Sequence, residues 1–495
     1  MKHLRAVLLL LLLAVLAVPA QAAEADWNGT AAEAAGFPSP QRLTDGDRGT
    51  YTTAQEGAAV TLSRSGGISA LYLEFDRPPQ PWTLTDPASG RSVSRGEEGF
   101  LHEFADLSAL LEGQPETVEL RFPAGTVIAE IYAFSPGELP DWVQIWQPPL
   151  DEADLLLISS HSDDEQLFFA GLLPYYGVER GLGVQVAYLV QHFEANGVQD
   201  HKRPHEQLDG LWTVGVRNYP IISGFPDLYS EGRDRAEALA NAQAAYRRAG
   251  NSYEDFVGYL TACIRRCRPL VVVSHDLDGE YGHGTHVLCA DALGQAVQRA
   301  ADPEQFPDSA AAYGPWQAEK LYLHLYGQGQ VVLDLDTPLD SLGGKSPFQV
   351  TQEGFACHKS QHWTWFYKWI YGTKEAPITR ADQIKTYSPC QYGLYATQVG
   401  PDQGQDDLFE HVETYAARRE RAAQEEAERL AAEQARLEAE RAAREEAARL
   451  QAEEEARAQS ARERALLLQM GGAALAALAL CILAGILISK TRRRR

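Results

Sequence analysis

The sequence predicts an α/β protein, with a Rossmann-like, mostly parallel sheet over residues 150–405, an all-β sandwich before it over 24–148, and a helical stalk and one transmembrane helix after it. Three observations predict this. Short segments of alternating polarity, separated by Gly, Pro and Asp clusters, occupy the first part of the chain. Continuous apolar runs alternating with helical stretches follow the Pro-rich break at Gln147-Pro148-Pro149. The C-terminal part then collapses to Ala, Glu, Arg, Gln and Leu and closes on an apolar run.

Residues 1–22 combine a basic start (Lys2, His3, Arg5), an apolar run over 6–18 and a small-residue Ala20-Gln21-Ala22 site, the pattern of a cleaved signal peptide. Export would place the rest of the chain where disulfides form. Of the six cysteines, Cys481 falls within the apolar C-terminal run and five are exported; Cys357 with Cys390 is the expected bridge. Cys263 and Cys267 can pair only off a regular helix, because a disulfide needs closely facing Cβ atoms. With 495 residues, 45% of them hydrophobic, the chain can bury the cores of several domains. A net charge of -24 argues against nucleic acid or anionic lipid as a partner, since both demand a basic surface.

Within 24–148, segments 59–63, 69–75, 117–122 and 127–134 alternate as strands of an antiparallel sandwich do. Leu43-Thr-Asp-Gly-Asp-Arg-Gly-Thr-Tyr51, with Ile131-Tyr-Ala-Phe134, resembles a discoidin-like, galactose-binding jelly roll. The resemblance implies either a ligand-binding module or a structural spacer.

Residues 154–160, 184–190, 219–223 and 269–275 read as parallel strands covered on both faces, with helices at 166–175, 205–215, 233–249, 252–266 and 285–301. Ligands of such sheets gather beyond the C-terminal strand ends. Over 411–464, Leu430, Leu437 and Leu450 hold no seven-residue register, which favours a single charge-stabilised helix over a coiled coil. Residues 466–489 are long and apolar enough to span a bilayer, and the basic tail 490–495 would stay cytoplasmic, leaving the bulk of the chain outside a cell membrane.

Two clusters carry chemistry. Ser159-Ser-His161-Ser162-Asp163-Asp164-Glu165 directly follows the first apolar strand. An imidazole and a carboxylate three residues apart on a tight turn can hold one cation, while the adjacent carboxylate is free to accept a proton. After a later strand comes His275-Asp-Leu-Asp-Gly-Glu-Tyr281-Gly-His283-Gly-Thr-His286, whose H-x-x-H spacing brings two imidazoles to one cleft. Together they supply three ligands for a metal, a spare carboxylate and a spare imidazole.

This pairing resembles the PIG-L/LmbE-like zinc-dependent N-acetylglucosaminyl deacetylases, over roughly residues 154–365. Arg203-Pro-His-Glu206, Phe225-Pro-Asp227 and the late Phe355-Ala-Cys-His358-Lys-Ser360-Gln361 match in order. The resemblance implies Zn2+ held by His161, Asp164 and His286, with Asp163 as general base. It further implies His283 at the oxyanion or the leaving amine, Tyr281 assisting there, and Arg203 on the substrate. Glu165 is expected to brace the loop. The family usually has proline where this chain has Ser162, which removes a rigid φ constraint from the metal loop. His192, His201, His205 and His362 match nothing and read as satisfied core or surface residues. The run from His362 to Trp369 lines a sugar subsite or a core edge.

The expected function is an extracellular, membrane-anchored de-N-acetylase of an N-acetylated glycan or glycolipid. The alternatives are an amidase on another N-acyl conjugate and a non-catalytic glycan-binding surface protein.

Overall fold

The computed structural model describes residues 24–195 and 198–492. The expected signal peptide lies outside the described residues, as do the last three arginines. Two units separate at Tyr415.

The first unit opens with nine strands: β1 Ala31–Ala35, β2 Thr52–Thr53, β3 Ala59–Ser63, β4 Ala70–Phe75, β5 Trp82–Thr85, β6 Ser92–Arg95, β7 His102–Asp106, β8 Thr117–Arg121 and β9 Val127–Phe134. They form two antiparallel sheets, β1-β3-β8-β5-β6 and β2-β9-β4-β7. Val60, Leu62, Leu84, Val118 and Leu120 from the first sheet share one core with Leu71, Leu73, Phe75, Ile128 and Ile131 from the second. Period-two alternation aims these inward, and in β9 an extra residue at Ala129, where the register with Glu74 and Phe75 shifts, brings Ile128 and Ile131 to the same face.

A third sheet of seven strands follows, in the order β14-β11-β10-β15-β16-β18-β17, and β12 (Glu194–Ala195) pairs with β13 (Val198–Gln199) as a separate ribbon. Its strands are β10 Leu155–Ser159, β11 Val184–Tyr188, β14 Ile221–Ile222, β15 Val271–Ser274, β16 Lys320–His324, β17 Gln330–Val332 and β18 Gln391–Thr397. The first five are mutually parallel; β17 and β18 add an antiparallel edge. Leu155 and Leu157 face one core and Leu156 and Ile158 the other, so both faces of β10 are covered. The chain leaves β10 toward β11 on one side and returns as β15 on the other. The crevice at the C-terminal ends of β10 and β15 is therefore the topological switch point of the sheet.

Four of the expected helices form, at Arg203–Thr213, Arg235–Arg248, Tyr253–Cys267 and Gly284–Ala300. The one expected over 166–175 does not. It breaks into the single turn Asp164–Leu167 and a π-helical stretch Pro174–Glu179, because Gly171 takes φ +82° and its Cα sits against Leu335, where a Cβ would come within 2.9 Å of that side chain. The expected Cys357–Cys390 bridge is also absent, and all six cysteines are free. Cys357 ends the helix Pro347–Ala356 beside Thr213, whereas Cys390 lies beside Leu333 and Asp334. Cys263 and Cys267 lie on one regular helix and stay unpaired.

The two antiparallel sheets lean on the helix Arg203–Thr213. Arg48 Nη1 donates to Asp209 Oδ2 at 2.8 Å, His102 Nε2 lies 2.7 Å from His205 Nδ1, and Phe100 stacks on Tyr219 at 4.3 Å. His205 and His201 are used in this seam, His201 stacking on Tyr51 at 4.4 Å. The sheets thereby fix the helix whose first residue is Arg203.

The second unit is built on one continuous helix, Tyr415–Arg492, which merges the expected stalk and span. Pairs such as Arg421–Glu425 and Arg441–Glu445 line its exposed surface. Its far end is long and apolar enough to cross a membrane, with mean hydropathy 2.5.

Candidate metal and catalytic site

The loop after β10 and the loop after β15 meet at the switch point. The first carries His161 to Glu165, all buried; the second carries His275, Glu280, Tyr281 and His283 and enters the helix Gly284–Ala300, which holds His286. Gly284 lets that helix start against Ser230, whose Oγ would lie 2.2 Å from an added Cβ. Two residues stand in left-handed backbone conformations that side chains normally avoid: Asp163 at φ +114° and Tyr281 at φ +49°. Strain of this kind costs about 1–3 kcal/mol and persists where the surroundings over-determine it. Here it turns both side chains into the crevice between the loops.

His161 Nδ1, Asp164 Oδ2 and His286 Nε2 form a triangle with sides of 3.1, 3.1 and 3.2 Å. A tetrahedral zinc ion with N and O ligands at about 2.0–2.1 Å separates its ligand atoms by roughly 3.3 Å. The triangle therefore fits such an ion, and its donor set of two imidazoles and a carboxylate suits one. Two overlapping groups of metal-capable donors meet here, His161–His283–His286 and Asp164–His275–His286, each with its atoms within 4.8 Å. The three predicted ligands straddle both. His275 is otherwise engaged: its Nε2 accepts from Ser160 N at 2.9 Å and its Nδ1 faces Glu280 Oε2 at 2.8 Å.

Glu280 is the hub behind the triangle. It is fully buried and accepts from the Nδ1 atoms of His275 (2.8 Å), His286 (2.7 Å) and His324 (2.7 Å). Its hold on His286 Nδ1–H leaves the Nε2 lone pair facing the triangle, the role an outer carboxylate plays behind a ligating imidazole. Asp227 stands behind His161, with Oδ1 at 3.4 Å from Nε2, and also faces Arg203 Nη1 at 3.6 Å. Arg203 Nη2 lies 3.4 Å from Asp163 Oδ1.

No family model matches the chain. The 1D-myo-inositol 2-acetamido-2-deoxy-alpha-D-glucopyranoside deacetylase of Rhodococcus opacus is 35% identical over 185 residues, covering 35% of this chain and 61% of that protein. Deacetylase 1 of the same name from Frankia alni is 32% identical over 215 residues, covering 40% of this chain and 70% of the relative. The chain belongs to this deacetylase family. It spans about three fifths of the length of the Rhodococcus relative, 61%. Among solved structures, the N,N'-diacetylchitobiose deacetylase from Pyrococcus horikoshii aligns at 15% identity and TM-score 0.35, over 50% of this chain and 86% of that one.

Ser162, at the position where the family resemblance leads one to expect proline, is held by hydrogen bonds instead. Its N–H, which proline lacks, donates to His192 Nε2 at 2.8 Å, and its Oγ and carbonyl oxygen accept from Arg203 Nε and Nη2, each at 3.2 Å. His192, read from sequence as an ordinary core histidine, thus supports the metal loop. Asp163 N donates to Glu165 Oε2 at 2.9 Å, and His358 of the late motif stands 3.6 Å behind Glu165. His362 contacts the carbonyl of Phe355 instead.

The charges are balanced for a cation. Burial opposes charge on His161, but Asp227 and Asp164 outweigh it and raise the imidazole to about 10. Burial likewise opposes charge on His286, and Asp164 and Glu280 overrule it, to about 9. Asp164, although buried, is held well below the usual carboxylate range by His286 and His161. Burial lowers His283 well below the ordinary imidazole value, reinforced by His286 and His161. His283 Nδ1 accepts from Thr285 N at 3.3 Å, which leaves a neutral ring with its proton on Nε2.

A divalent ion must displace protons from His161 and His286, because both raised imidazoles are protonated below about 9 in the free site. Zinc affinity should therefore fall as pH falls from 8 to 6, about 10-fold per unit for each proton released. Competition titrations with a chelating indicator measure this. A pH-independent affinity over that range would show that no proton leaves the two imidazoles on binding and would remove their raised basicity.

Proposed function

We propose that this protein is a zinc-dependent de-N-acetylase of an N-acetylglucosamine-type glycan or glycoconjugate. The triangle of His161 Nδ1, Asp164 Oδ2 and His286 Nε2, with the His283 ring 4.8 Å from that of His161 and Asp163 adjoining Asp164 in the same buried loop, carries this reading. Zinc bound there supplies a Lewis acid for the amide carbonyl and lowers the pKa of water toward about 7.

The chain's own residues do the rest. Asp163 takes the proton of the attacking water. Burial, which outweighs the neighbouring Arg203, raises its carboxyl to about 6, basic enough to accept a proton yet ionised at neutral pH. His283 offers its Nε2–H as a hydrogen bond to the developing oxyanion and keeps it, while the proton that Asp163 has taken from water passes on to the leaving amine. Tyr281, kept protonated by burial and by the charges of Asp164 and Asp163, donates beside it. Arg203, tied to Ser162 and Asp227, presents a fixed cation to the sugar hydroxyls.

Export and membrane attachment belong to the same proposal. The signal-like start supports export, and the apolar end of the helix Tyr415–Arg492, followed by Lys490 and Arg492, supports a single span with a cytoplasmic tail. The two antiparallel sheets are proposed as a discoidin-like jelly roll.

Zinc content by elemental analysis, together with acetate release from N-acetylated chitooligosaccharides, tests the proposal. The expected result is one zinc per chain and turnover that a chelator abolishes and added zinc restores. Acetate release undiminished in prolonged chelator, with no metal found, would remove zinc; no acetate from any N-acetylated sugar would remove the activity.

A further inference from the structure

Tyr281 is the inner end of a row of aromatic rings that runs outward from the metal triangle. Its ring meets His283 and His286, each at 5.5 Å, on one side and Trp365 and Phe366, each at 5.6 Å, on the other. Trp365 is 46% exposed, although it is anchored against Phe366 at 4.3 Å, and Trp363, two residues earlier, is 85% exposed. Tyr229 also stands edge-on to His283, at 5.2 Å, and is 61% exposed. Its hydroxyl is tied to Glu231 at 2.8 Å, which fixes the ring.

Packing does not require these exposures. The neighbouring Phe366, Trp369 and Ile370 turn inward and close the core behind Phe168, whereas Trp363 and Trp365 turn out. Solvent-facing rings beside a polar reaction centre, Trp365 against Tyr281 and Tyr229 against His283, with Trp363 two residues from Trp365, match a chain of pyranose rings, whose C–H faces stack on aromatics while their hydroxyls stay in water. A single N-acetylhexosamine at the triangle would reach Tyr281 and His283 but leave Trp363 unused. A net charge of -24 disfavours a polyanionic chain.

We infer that the substrate is an uncharged oligo- or polysaccharide, with the reacting N-acetylhexosamine at the triangle and neighbouring sugars stacked on Trp365 and Trp363 and on Tyr229. This rests on the de-N-acetylase reading and names its substrate class. Each stacked ring contributes about 0.5–1.5 kcal/mol, so kcat/KM should rise by about 3- to 10-fold per added sugar until the rim is filled.

The test compares acetate release by the full-length, zinc-loaded protein from N-acetylglucosamine and from its β-linked di-, tri- and tetramers, in wild type, Trp363→Ala and Trp365→Phe. In parallel, tryptophan fluorescence follows tetramer binding to Asp163→Asn, which needs no turnover. The expected result is a tetramer-to-monomer kcat/KM ratio that falls by about 3- to 10-fold in Trp363→Ala, through KM, together with a fluorescence change on tetramer binding that the added Trp363→Ala substitution weakens. Equal kcat/KM for monomer and tetramer would overturn the inference and leave the deacetylase reading standing. Absence of acetate with intact, Trp363-dependent tetramer binding would overturn the reaction and keep the glycan platform. Absence of both would overturn the two together.

Discussion

Asp163→Asn should retain zinc and lose about 100- to 10,000-fold in turnover, because the substitution removes a base and not a ligand. The two adjacent carboxylates have separable positions. Asp164 Oδ2 is a corner of the triangle, 3.1 Å from His161 Nδ1 and 3.2 Å from His286 Nε2, whereas Asp163 sits at φ +114° and faces Arg203. Asp164→Asn should therefore do the opposite and empty the site. The acid limb of kcat/KM supplies a second readout. With Asp163 raised to about 6, the base form is present above that pH and lost below it, and a bound dication moves the limb lower still. Elemental analysis and pH-rate profiles of the two variants decide the matter. If Asp163→Asn lost its zinc while Asp164→Asn kept it, the roles would be exchanged.

Replacement of Glu280 should be felt in both stability and metal affinity, although the residue touches neither metal nor substrate. In Glu280→Gln the amide nitrogen faces ring N–H groups, so at least one of the bonds to His275, His286 and His324 is lost inside a fully buried cluster. Breaking a buried charged cluster of this kind costs about 3–5 kcal/mol. Loss of the partner that orients a ligating imidazole weakens metal binding by about 10- to 100-fold. Urea unfolding of the zinc-free protein and zinc titration read the two effects separately. Unchanged values in both would show that Glu280 is not the hub that the hydrogen bonds describe.

The legible parts of this protein are those in which local chemistry repeats along the chain. Apolar runs marked β10, β11 and β15, because strands covered on both faces are largely apolar, and also β14, a part-buried edge strand. The strands beyond β15, namely β16, β18 and the edge strand β17, carry interspersed Lys, Gln, His, Tyr and Gly, and no run stood out. His161, Asp164 and His286 were legible as candidates because metal-binding side chains cluster directly after strands. The roles of Asp227, His192 and His324 were not, since each acts across a long sequence separation, His192 standing 30 residues from Ser162 and His324 44 from Glu280; Glu280, only 5 and 6 residues from His275 and His286, carried no spacing signal of its own. Nor does the sequence reveal the break at Gly171, which depends on the approach of Leu335.

By itself, then, the sequence determined the order of the β, α/β and helical segments, the identity of the candidate ligands and base, and an apolar segment of membrane-spanning length, because periodicity, spacing and composition are local properties. Only the tertiary structure decided that three donor atoms stand 3.1–3.2 Å apart, that one buried carboxylate serves three imidazoles, that Ser162 binds Arg203, and that Trp365 stands against Tyr281 while it and Trp363 face solvent. Each of these depends on which residues distant in the chain are brought together when the sheet closes around its switch point.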